Sequence, residues 1–122
     1  MRQQRLESIA TSVVRQTLRQ LPANLRDAAQ SCLIELCSMT ECLAAGEDDL
    51  DPDLLGLFEG SNFSGDPDPS ALPRVRIFLD NLWDFTQGHL ATFREEVRVT
   101  LLHELGHYLG LDEEQVAALG LE

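Results

Sequence analysis

The chain has 122 residues, 43% of them hydrophobic and 25% charged, the balance of a globular domain with one core, and a single domain over residues 1–122 is expected. A formal net charge of −12 opposes a nucleic-acid backbone or an anionic lipid surface as partner. No apolar run reaches the length of about 18 residues that a membrane helix needs, and Met1–Glu7 shows no secretory leader, so the cytoplasm is the expected compartment.

In chain order, Leu6, Ile9, Val13, Leu18 and Leu21 recur near the helical period and predict an amphipathic helix over Leu6–Leu21, ended by Pro22. Asn24–Gln30 fits one or two further helical turns. Cys32–Cys37 is short, apolar and partly alternating, a predicted strand. Cys32, Cys37 and Cys42 match neither a disulfide framework nor a C-x-x-C pair and are expected as buried small hydrophobes. Thr40–Asp53, with Glu41, Glu47, Asp48, Asp49, Asp51 and Asp53 broken by Gly46 and Pro52, reads as a solvated acidic loop. Leu54–Gly60 is an edge strand or a loop packed over the core. Ser61–Pro73, rich in Gly and Pro, is an irregular connection.

Arg74–Leu79 alternates and predicts a second strand. Asp80 or Asn81 is expected to cap a short helix that runs through Phe85 and ends near Gly88. A long helix then starts near Thr92 and is stopped after Leu109 by Gly110 in a left-handed turn. Asp112–Glu122 reads as a short closing helix. Phe78, Trp83, Phe85 and Phe93 are assigned to the core, His89 to a loop or cap, and Tyr108 to packing.

The long helix carries His103-Glu104-Leu105-Gly106-His107. Residues four apart on a helix share a face, so His103 and His107 can aim two imidazoles at one point. Neutral imidazole binds zinc at about 2.0–2.1 Å, and Glu104 sits where it can take a proton from water that zinc has acidified. Two histidines on a core helix can also be plain structural residues. The surrounding pattern weighs against that: Glu96, Thr100, His103 and His107 make a polar stripe on a Val- and Leu-rich helix, which should line a cleft. A catalytic zinc site needs a third protein ligand. Gly110 allows the chain to turn back, and Glu113 follows at the right distance, with Asp112 as the alternative and Glu114 a lesser one.

Three segments resemble the minimal zincin-like metallopeptidases, a family of metzincin type: Leu54–Gly60, Leu72–Phe78, and Phe93–Leu102 continuing into His103–Glu113. The resemblance covers about residues 50–122, and the N-terminal helix and strand match in pattern only. It implies an α+β domain, with a short mixed sheet packed against the N-terminal helix and the active-site helix. It also implies zinc held by two histidines and an acidic residue, often Asp; here the aligned position is Glu113. The Met-turn of the metzincins has no counterpart, since only Met1 and Met39 are present, both upstream.

The expected function is a zinc metalloendopeptidase acting on a peptide or protein. His103, His107 and Glu113 would hold Zn2+, with Glu104 as general base. The alternative is a metal-bearing module that binds a peptide without cutting it. The run Leu55–Phe58, if an edge strand, could pair with an extended peptide.

Overall fold

The structure, a computed structural model, describes residues 1–60 and 72–119. Its elements are α1 (Gln3–Arg19), α2 (Ala23–Ala29), β1 (Leu33–Cys37), α3 (Met39–Ala44), β2 (Gly56–Glu59), β3 (Arg74–Phe78), α4 (Leu79–Phe85), α5 (Leu90–Leu109) and α6 (Glu113–Ala117). This is the expected α+β arrangement. The mixed sheet has the order β1-β3-β2, with β3 parallel to β1 and antiparallel to β2. Helices α1 and α5 pack on each other, and α5 also lies against β2 and β3. No described helix is long and apolar enough to cross a membrane. The expected irregular connection falls largely on residues 61–71, outside those described, as do residues 120–122 of the expected closing helix.

The two-residue period of β3 assigns its faces. Val75 and Ile77, both 0% exposed, enter the core with Leu6 and Ala10 of α1 and Val97 and Leu101 of α5. Arg74 and Arg76 face the other way. Arg76 is buried all the same. Its Nη1 and Nη2 each donate to Glu47 at 2.9 Å, Nη1 also donates to Glu59 at 3.3 Å, and Nη2 reaches the Cys42 sulfur at 3.0 Å. A guanidinium taken out of water requires such charged partners. Glu47 is therefore tied down, and the acidic stretch is not simply solvated as expected.

That stretch also contains α3, which the local pattern did not predict. Ser38 caps it, accepting from the Glu41 amide at 3.2 Å. Asp80 accepts from the Met39 and Thr40 amides at 2.9 and 3.0 Å. Asp80 Oδ1 also accepts from the Asn81 amide at 3.0 Å, but Asp80 lies inside the first turn of α4 and is not its N-cap; α4 leaves β3 directly at Leu79 without a side-chain cap. Burial alone would raise the Asp80 carboxyl, but its hydrogen bonds outweigh that and hold it below the usual 3.8. Asn81 Nδ2 donates to the carbonyls of Pro52 and Leu54 at 2.7 and 2.8 Å, which fixes the chain as it enters β2.

Three smaller expectations are corrected. Helix α5 begins at Leu90, not near Thr92, because Gln87 (φ 56°) and Gly88 (φ 70°) reverse the chain just before it. Phe85 is 55% exposed, since Leu79 and Leu82 take the inward positions of the short α4. Of the three free cysteines only Cys32 is buried. Burial pushes its thiol up to about 11, which leaves it unreactive.

Candidate metal centre

Phe93, Val97, Leu101 and Leu105, each at most 1% exposed, are spaced four apart and root one side of α5 in the core. His103 and His107 share the opposite, exposed side, with Glu104 half-buried beside them. The two imidazole rings are 5.4 Å apart at an angle of 84°. One ligand atom from each of His103, Glu104 and His107 lies within 4.8 Å of the others, and no second such group occurs among the described residues. Ligands at about 2.0–2.2 Å from one ion have their donor atoms within roughly 4 Å of each other, close to the spacing found here. The two imidazoles are nitrogen donors suited to a borderline divalent metal, with the Glu104 carboxylate beside them. The residues fit such an ion.

Behind the histidines α5 ends as the glycine suggested. Gly110 has φ 72°, Leu111 N donates to Gly106 O at 2.9 Å, and Gly110 N donates to His107 O at 3.3 Å. These bonds close the helix in a Schellman turn and satisfy two of its terminal carbonyls. Helix α6 follows at once. Asp112 is its N-cap: Oδ1 accepts from Gln115 N at 2.8 Å, while the Asp112 amide donates to Gln115 Oε1 at 2.9 Å. Glu113 is the first residue of α6 and is exposed. Neither acid joins the group formed by His103, Glu104 and His107. Helix α6 seats itself through Val116, because a Cβ on Gly106 would lie 2.6 Å from Val116 Cγ2.

The expected polar stripe does face a cleft. Glu96, Thr100, His103 and Glu104 line, with Val99 and with Leu55 and Gly56 of the opposing chain, a cavity of about 260 Å3; His107 lies outside it. A Cβ on Gly56 would meet Thr100 Cγ2 at 2.5 Å and Glu104 Cγ at 3.2 Å. Glycine thus lets β2 pack directly against the Thr100 and Glu104 side chains of the motif helix. Sequence reasoning passed over Gly56 as a site residue, although a lone glycine inside an apolar strand run was the available signal. Tyr108 is buried, its ring 6.0 Å from Phe58 of β2, as the packing reading required. His89 stands exposed at the head of α5.

A comparison with curated proteins finds no match. The family model for zincin-like metallopeptidases matches residues 31–121, which takes in the sheet, the motif helix and the turn behind it. The chain belongs to the zincin-like metallopeptidase family.

Proposed function

We propose that this protein is a zinc-dependent endopeptidase that cleaves an extended peptide laid along the outer edge of β2, beside α5. The observation that carries this reading is the placing of His103 and Glu104 on the wall of a cleft whose other wall is an edge strand. His103 and His107 hold the metal. Glu113 is our third ligand: it makes no hydrogen bond or ion pair among the described residues, whereas the Asp112 carboxylate is occupied as a cap. When bound, zinc supplies Lewis acidity toward the scissile carbonyl and toward a water molecule. Glu104 accepts the proton of the attacking water on a carboxylate oxygen and returns it to the departing amine nitrogen.

Strand β2 supports the positioning of the peptide. Phe78 N donates to Leu55 O at 2.9 Å, so Leu55, Leu57 and Glu59 form the hydrogen-bonded pairs with β3. The amides and carbonyls of Gly56 and Phe58 therefore point outward, where no strand pairs with them among the described residues. A peptide added at that edge runs past His103 and Glu104.

The test is metal analysis together with cleavage of a diverse peptide library. One equivalent of zinc is expected, with cleavage by the wild type. Glu104→Gln should keep the zinc and lose about 10²–10⁴-fold in rate, the usual worth of general acid–base catalysis. Absence of zinc uptake would refute the metal reading. The placing of Asp112 and Glu113 outside the cluster favours one competitor, a metal-bearing peptide-binding module. Stoichiometric zinc and peptide binding without any cleavage would establish that module instead.

A further inference from the structure

The chemistry above leaves one carboxylate unused. Glu96 precedes His103 by two helical turns, so it stands on the same face, about 10 Å along the axis. It lines the same cavity and is half-buried. Its neighbour Glu95 is paired with Arg98 at 2.9 Å, but Glu96 has neither an ion pair nor a hydrogen bond among the described residues. A cation entering the cavity would meet this carboxylate with no competing partner among the described residues. The remaining walls matter equally. Leu55 and Val99 are apolar, and Thr100 offers a hydroxyl. The volume of about 260 Å3 lies below the roughly 300–1,000 Å3 of sites that take whole small molecules, and suits one side chain.

We infer that Glu96 determines specificity: the cavity receives a lysine or arginine side chain of the peptide, whose alkyl stem lies on Leu55 and Val99 and whose charge meets the Glu96 carboxylate. This rests on the endopeptidase reading for the position of the peptide. An extended chain advances about 3.3 Å per residue. Two residues and one long side chain span the distance from His103 to Glu96, so the basic residue falls within two positions of the scissile bond. Neutral side chains of similar length leave the carboxylate unpaired, so a site built to pair a charge discriminates against them.

Fluorescence anisotropy on zinc-loaded Glu104→Gln protein tests this without turnover. The probes are two labelled peptides that differ only in Arg against Gln. The Arg peptide should bind at least about tenfold more tightly, as expected of a charge-assisted hydrogen bond. Adding Glu96→Gln should remove the difference, and adding Glu96→Lys should reverse it in favour of a Glu peptide. The overall charge of −12 attracts any basic peptide, so Asp49→Asn, on an exposed residue outside the cavity, serves as the control and should keep the preference. Equal affinities, no measurable binding of the Arg peptide, or a preference reduced as much by Asp49→Asn as by Glu96→Gln would each overturn the inference. Library cleavage by wild type without enrichment of Lys or Arg near the cut would also overturn it, while leaving the endopeptidase reading intact. A Glu96-dependent Arg preference without cleavage would do the opposite.

Discussion

Replacing Gly106 by alanine probes the contact that seats α6 behind the two motif histidines. The added methyl would lie 2.6 Å from Val116 Cγ2, inside van der Waals contact, so one element must move. Overpacking of this kind costs about 1–3 kcal/mol. Alanine returns about 1 kcal/mol through its better helix propensity, so the net loss is roughly 0–2 kcal/mol. Val116→Ala alone removes two methyl groups from a site only 6% exposed, at about 0.8 kcal/mol each. In the double variant the new methyl fills the space the old ones left. It should be at least as stable as Val116→Ala, with a coupling of about 1–3 kcal/mol. Urea unfolding of the four proteins in the presence of a chelator measures this without a metal contribution. Zinc affinity, measured separately, should fall in Gly106→Ala and recover in the double variant, since α6 carries Glu113. Free energies that add to within about 0.3 kcal/mol would mean that the two residues do not touch as described.

Other outcomes follow from the same structure. Zinc at one hundred times its Kd should stabilise the protein by about 2.7 kcal/mol, or roughly 10 °C in Tm for a domain of this size, and His103→Ala should abolish that shift. Asp112→Asn keeps the cap and should leave zinc affinity unchanged, whereas Glu113→Gln should weaken it; a competition assay with a chromogenic chelator distinguishes them. Gly56→Ala forces β2 away from Thr100 and Glu104; it should cost about 1–3 kcal/mol and depress peptide cleavage by more than it lowers zinc binding. The Asp80 carboxyl lies below its usual 3.8 in the folded state. It therefore contributes stability above that pH and loses it as pH falls through the folded value. The stability gap between wild type and Asp80→Asn should be full at neutral pH and narrow below pH 3.8, as followed by urea unfolding.

What the sequence reveals and what it hides divide along the range of the interactions. The motif helix, the polar stripe on it and the Gly110 turn were legible because each is set by residues within a few positions. Helix α3 was passed over although Ser38 and Glu41 give it a local start signal; what anchors its first amides, Asp80, lies about 40 positions away. The same cause misled the reading of Asp80 as a local cap and of Glu47 as a solvated acid, since its partner Arg76 lies in β3. At the candidate metal centre the spacing of His103 and His107 fixed their juxtaposition. The cleft wall depends instead on Gly56 meeting α5 across the fold, a contact that no helical or strand period encodes.

The outward face of β2 has a consequence for the protein as a solute. Among the described residues no strand pairs with its outward backbone groups, and groups that can take a peptide can equally take the same strand of another molecule, which is how sheet edges seed aggregation. Two properties oppose this. The strand is only four residues long, too short for backbone pairing alone to hold two copies together. Each copy also carries a net charge of −12, so approach is repelled. The second protection is ionic: salt near 1 M shortens its range to about 3 Å. In concentrated salt the brevity of β2 is then what guards this edge.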